Sequence, residues 1–321
     1  MRRDPERLPA VAEARLGGLT APRPRRRRHH VLTARDRVAL GLVVGIPVLF
    51  DLGLIWGPTV ASVLLSFTSW NGIGPITPDL FVGLHNYVEL FTSYLFFRPA
   101  LRNNLIYLGF LALIATPIGM LFAVLLDREI SGTRIYQSIF YVPVVLPLVV
   151  VGFIWELQYA PTQGFINNAL GLVRSGHIID WLGNPSINLY AVLIAASWRH
   201  VGYIMILYLA GLKSVDPTLR EAARVDGAGE VQTFFRVVLP VMMPINVIVI
   251  VVTTIESLRA FDIVYIINHG INGLELLSTL IVNNTLSEAS LVGFGSAIAV
   301  VLLVISLVPI CGFLVAMNRR G

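Results

Sequence analysis

Apolar and polar positions alternate along this chain on the scale of whole segments. Apolar runs occupy about 39–67, 104–126, 136–155, 188–210, 241–267 and 291–317, and polar or turn-rich stretches separate them. Each run meets the roughly 20 residues that a helix needs to cross the hydrocarbon core of a bilayer. A transmembrane β-barrel would show segments of about ten residues with alternating hydrophobicity instead, and the chain has none. The pattern therefore predicts an all-α, polytopic membrane protein with six transmembrane helices over 37–320, preceded by a tail of residues 1–36. Pro47, Pro58, Pro117, Pro143 and Pro147 fall inside the runs and predict kinks, because proline in a membrane helix leaves a carbonyl without its partner. The stretch 69–100 is longer than a turn requires and carries Trp and Tyr, which suits a short interfacial helix.

Composition agrees with the pattern and adds an orientation. Hydrophobic residues make up 55% and charged residues 13% of the 321, against about 25% charged in a soluble domain. The net charge of +5 does not point to nucleic acid, because 11 of the 24 Lys and Arg precede the first run, Arg25 to Arg28 among them. Basic residues beside a first span hold the N-terminus in the cytoplasm. Six crossings then put 127–135, 211–240 and the C-terminus on the same side, with 19 cations inside against Arg98, Arg102 and Arg174 outside. With this orientation both termini are expected to be cytoplasmic. The tail is rich in Arg, Pro and Ala and cannot bury enough apolar surface to order itself. The first run, at about 29 residues, is too long for a cleaved signal core. Its Asp51 is functional, internally paired or simply shallow in a tilted span. The single cysteine, Cys311, excludes a disulfide framework and a cysteine metal cluster.

Catalytic signatures are missing: the chain has no GxxxxGK phosphate loop, no HExxH and no GxSxG. No ATP hydrolysis, cofactor or metal is expected of it, so uphill transport would draw on a partner or an ion gradient. The polar segment 211–240 holds the most specific pattern. Asp216-Pro217 reads as a helix start, with Asp216 as N-cap and Pro217 at the first helical position. The helix is expected to end near Asp226 at Gly227, and a second to run over about 229–238. Leu219, Ala222, Ala223 and Phe234 are expected to pack, with Glu221, Arg224 and Asp226 facing out.

Glu221-Ala222-Ala223, Gly227 after three residues, and Val237-Val238-Leu239-Pro240 resemble the EAA signature of ABC importer permeases, EAA-x3-G-x9-I-x-L-P, with Val237 in place of Ile. Asp226-Gly227-Ala228 is also typical of the family. Ser66 to Asn71, Phe81 to Tyr87 and Phe261 to Tyr265 look like its sugar-transport, MalF/UgpA-like branch, and the resemblance covers about 38–317. It implies the type I importer (MetI-like) fold with a cytoplasmic coupling helix. It also implies a second homologous permease, an ABC ATPase dimer, an extracytoplasmic solute-binding (lipo)protein and a di- or oligosaccharide as substrate. Glu221, Ala222, Ala223, Asp226, Gly227, Leu239 and Pro240 would then form the ATPase-coupling site, with Glu221 touching the ATPase.

The resemblance places the solute path in the fourth and fifth runs, where Arg199, His200, Tyr203, Thr253, Glu256, Ser257 and Arg259 are candidates. Charged groups in spans face the bundle interior or a wet cavity. The alternative is a structural network in which Glu256, Arg259 and Asp262 pair at i,i+3 spacing. Other readings are the same permease serving glycerol phosphate or another small polar solute, and an ion-coupled secondary transporter relaying protons through Asp51, Glu256 and Asp262.

Overall fold

The computed structural model describes residues 33–128, 131–286 and 290–318. The expectations about the tail through residue 32, including Arg25 to Arg28, and about Arg319 and Arg320 lie outside the described residues. Two units are distinguished, Met1–Trp56 and Gly57–Gly321.

The first unit holds α1 (Ala34–Asp51) and a π turn, Leu52–Trp56. The helix starts inside the stretch read as tail because Thr33 and Asp36 form a capping box. The Asp36 carboxylate accepts the Thr33 amide at 2.9 Å and the Thr33 hydroxyl oxygen accepts the Asp36 amide at 3.3 Å. No residue of α1 is buried, and a helix apolar all round is the kind that lipid or a partner covers. Asp51 is its exposed last residue.

The second unit begins with α2 (Gly57–Leu65), α3 (His85–Thr92), α4 (Phe97–Phe110), α5 (Thr116–Asp127), α6 (Thr133–Val145) and α7 (Leu148–Tyr159). It continues with α8 (Phe165–Ala169), α9 (Leu172–Ser175), α10 (Asn188–Ser214), α11 (Pro217–Val225), α12 (Glu230–Thr233) and α13 (Leu239–Val241). The last are α14 (Met243–Leu258), α15 (Asp262–Asn268), α16 (Leu277–Leu286) and α17 (Val292–Asn318). The architecture is all-α; among the described residues the nearest thing to a strand is a single bridge between Thr68 and Phe81. By length and composition, four helical stretches can cross a membrane, or up to six if each of two bent pairs is one crossing.

Prolines set the bends. The π turns Leu52–Trp56, Leu111–Ala115 and Phe234–Val238 each end two residues before a proline, namely Pro58, Pro117 and Pro240. Proline lacks an N–H and its ring meets the carbonyl four residues back; a widened turn moves that carbonyl aside. At Pro147 the chain instead turns outright: Leu146 is extended (ψ 137°) and α6 meets α7 at 100°. A residue before proline avoids the helical region, so the run 136–155 contains a corner.

Packing is tight where α5 crosses α10. A Cβ on Gly119 would come within 2.9 Å of the Ile204 side chain and the Val201 carbonyl, and small residues let membrane helices approach this closely. Ala123, Ile204, Met205, Tyr208 and Leu212 bury there with Val238 and Met242. The apolar pattern predicts only a loop before the last run, yet α16 forms there. Its Leu277 and Leu280 are buried with Phe97, Phe294 and Ile298.

Candidate functional site

A cavity of about 290 Å³ opens among α4, α7, α10, α14 and α15, and Tyr107, Arg199, His200, Glu256, Arg259 and Asp262 are on its wall. Glu256 lies at its centre chemically. One carboxylate oxygen accepts from Arg199 Nη1 at 3.2 Å and the other lies 2.7 Å from His200 Nδ1. His200 is only 2% exposed. Its Nε2 is 3.1 Å from the Thr116 hydroxyl and 3.5 Å from that of Thr253, and the two hydroxyls are 3.3 Å apart. With Nδ1–H donated to the carboxylate, Nε2 accepts from Thr116, while the buried Arg199 Nε has no hydrogen-bond partner among the described residues. A carboxylate and a guanidinium thus pair inside the helices, where an unpaired ion is expensive, and the imidazole links the carboxylate to Thr116.

The alternative to solute contact, an i,i+3 network of Glu256, Arg259 and Asp262, does not form. The helix stops at Leu258, Arg259 leaves it (φ −90°, ψ 5°) and Phe261 is non-helical (φ −135°, ψ −59°), so helical spacing is lost before Asp262. Glu256 therefore pairs across to α10, while Arg259 and Asp262 line the cavity with no ion pair among the described residues. The break is held from outside the two expected runs. Ser278 of α16 donates to the Ala260 carbonyl. Asn104 of α4 donates to the Ser257 carbonyl at 3.4 Å and accepts the Leu277 amide at 2.9 Å.

Of the seven solute-path candidates, Arg199, His200, Glu256 and Arg259 line the cavity. Thr253 is buried and reaches it through His200. Ser257, fully buried, donates to the Thr253 carbonyl at 2.6 Å and is not on the wall. Tyr203 packs into the apolar cluster at the α5–α10 crossing, away from the cavity. Tyr107 and Thr116 were not among the candidates. Their only signal was a polar group inside the second apolar run.

The segment between α10 and α14 forms the second candidate site. The Asp216 carboxylate accepts the Thr218 amide at 2.9 Å, Pro217 follows, and α11 ends at Val225 with Asp226 as its C-cap. That amide, followed by the Thr218 side chain, holds the exposed Asp216 carboxyl below its ordinary pKa. At the other end, Gly227 has φ +81°, the Gly227 amide donates to the Arg224 carbonyl at 3.0 Å, and that of Ala228 to Ala223 at 2.9 Å. These two bonds make a Schellman termination, which favours glycine at this position. The second helix covers the expected 229–238 and runs past it: α12, the π turn before Pro240 and α13 follow one another without a break from Glu230 to Val241. Ala223 is buried and Phe234 partly so. Leu219 and Ala222, expected to pack, are exposed beside Glu221, and Glu221 has no hydrogen bond or ion pair among the described residues. Among the described residues no group of three or more His, Cys, Asp or Glu is gathered as a metal site would need.

The family model for the binding-protein-dependent transport system inner membrane component matches residues 115–320. The chain is 33% identical over 281 residues to the xylose/arabinose import permease protein XacH of Haloferax volcanii, covering 86% of this chain and 87% of that one. It is 31% identical over 303 residues to the diacetylchitobiose uptake system permease protein NgcF of Streptomyces coelicolor, covering 89% and 83%. It also resembles a chain of the bacterial alginate ABC transporter solved with an alginate pentasaccharide-bound periplasmic protein. There the TM-score is 0.75 at 24% identity, over 89% of this chain and 95% of that one.

Proposed function

We propose a sugar as the cargo of this chain, which belongs to the binding-protein-dependent transport system inner membrane component family and is a multi-pass permease of an ABC importer. The observation that carries the proposal is the neutralised charge in the cavity. Arg199 is paired with Glu256, and the wall offers hydrogen-bonding groups beside the rings of Tyr107 and Phe261. Such a wall suits a neutral, hydroxyl-rich solute. The names of the relatives XacH and NgcF, a pentose permease and a diacetylchitobiose permease, support it. Arg259, without an ion pair among the described residues, favours a second reading, glycerol phosphate or a similar ester; Asp262 on the same wall opposes it.

The partners in this reading are a second homologous permease, an ATPase dimer that carries out all ATP hydrolysis, and an external binding protein. Both termini and the 211–240 segment face the cytoplasm. There α11 docks in a cleft of the ATPase, with Glu221 as the contact and Ala222 allowing close approach. Closure of the nucleotide-bound dimer then switches the helices between inward- and outward-facing states. The test is uptake by proteoliposomes holding the complex with its binding protein, using labelled xylose, maltose, diacetylchitobiose and glycerol 3-phosphate as probes. ATP-dependent uptake of one of the sugars is expected. Preference for the phosphate ester would remove the sugar, and uptake driven by an ion gradient without ATP would remove the ATP coupling.

A further inference from the structure

Two ion pairs away from the cavity fix the glycine-hinged module to one helix end. Asp127, the last residue of α5, holds Arg220 of α11 at 2.7 Å, and the next residue, Arg128, holds Glu230 of α12 at 2.7 Å. Arg220 also donates from Nη2 to the Leu212 carbonyl of α10 at 3.1 Å. The grips come from opposite sides of Gly227, a cation before the hinge and an anion after it, facing an anion and then a cation on the helix. Such an arrangement fits in one register only. From Asp127, α5 runs back to Thr116, which meets His200, and the π turn and α4 bring Leu111 and Tyr107 to the cavity wall.

We infer that Arg220 and Arg128 are positioning residues that turn movement of the module into movement of the helix Phe97–Asp127, and so of the cavity wall. Energetic coupling between separated sites is carried by rigid elements and ion-pair networks of this kind. The inference rests on the reading of α11 as the ATPase docking point. The two grips differ in shelter: the Arg220 and Asp127 side chains are 31% and 14% exposed, those of Arg128 and Glu230 58% and 66%. Water weakens the second pair, so Arg220–Asp127 transmits the movement and Arg128–Glu230 sets the register.

The test uses the importer complex, purified with its ATPase in nanodiscs, with Cys311→Ser and a reporter Ala196→Cys in the cavity wall. Maleimide labelling is timed with and without Mg-ATP and vanadate. Nucleotide is expected to change the labelling rate in the parent. Asp127→Arg and Arg220→Asp are each expected to shrink that response about fivefold, the factor equivalent to ~1 kcal/mol of coupling, with the ATPase still bound. The double exchange is expected to recover most of it. Single exchanges that respond like the parent, or a double no better than the singles, overturn the inference alone. A parent that ignores nucleotide overturns the coupling reading as well. If the reversals fail to assemble, Arg220→Lys and Arg220→Gln decide: a response kept by Lys and lost by Gln supports the inference, and equal responses overturn it.

Discussion

Glu256 and Glu221 are both helical glutamates of the second unit, and the chain treats them in opposite ways. Glu256 is bound by His200 at 2.7 Å and Arg199 at 3.2 Å. Glu221 stands exposed beside Ala222, with no ion pair among the described residues. An unpaired ion inside membrane helices is expensive, and at Glu256 the chain supplies both partners itself. On the module water serves until another surface replaces it, so an unpaired carboxylate there costs little.

The sharpest way to break this contrast is Glu256→Leu. It leaves Arg199 charged and strips His200 Nδ1 of its acceptor, and removing one partner of a buried pair costs roughly 3–5 kcal/mol. Because the Arg199 and Glu256 side chains keep 26% and 28% exposure, the low end, about 3 kcal/mol, is expected as a fall in the thermal midpoint of the solubilised complex. Glu256→Gln retains an acceptor for His200 and is expected to lose clearly less. Equal midpoints for Leu and wild type would mean that the cavity charges are not mutually supported.

Gly227→Ala probes the hinge with a smaller effect. Nothing lies within 4 Å of the Cβ it would add, so the penalty is conformational only. At φ +81° an L-residue loses about 1–2 kcal/mol, read as weaker protection of the α11 amides in hydrogen exchange. Unchanged protection would remove the left-handed termination as the reason for this glycine.

The module was legible in the sequence and the cavity only in part, for a physical reason. Asp216, Pro217 and Gly227 act through backbone conformation and local hydrogen bonds, and local rules read them from neighbours in the chain. The cavity depends on residues far apart: Thr116, His200 and Glu256 meet only after three helices pack. Spacing on one helix therefore offered Arg259 as an alternative partner for Glu256 and made Tyr203 a candidate that is not on the cavity wall, whereas the break at Arg259–Phe261 re-aimed everything beyond it. α16 escaped notice because its ten residues fall short of a span. Yet Ser278 supplies a bond that holds the break. Of the prolines read as kinks, two, Pro58 and Pro117, follow π turns.

Glu221→Lys is expected to have the least effect on the chain and sharpens the contrast most. The side chain is exposed and the described residues give it no hydrogen bond or ion pair, so stability should change by no more than about 0.5 kcal/mol. Reversing its charge leaves the pair between Arg220 of α11 and Asp127 of α5 in place at 2.7 Å. Membrane yield and thermal midpoint should therefore match wild type while co-purification of the ATPase and ATP-driven uptake fall. If the midpoint drops as far as it does for Glu256→Leu, Glu221 has a partner within the chain after all. If neither stability nor ATPase retention moves, the docking surface lies elsewhere on the module. The distinction is available because α11 ends in its own Schellman bonds and does not rely on Glu221 for its fold.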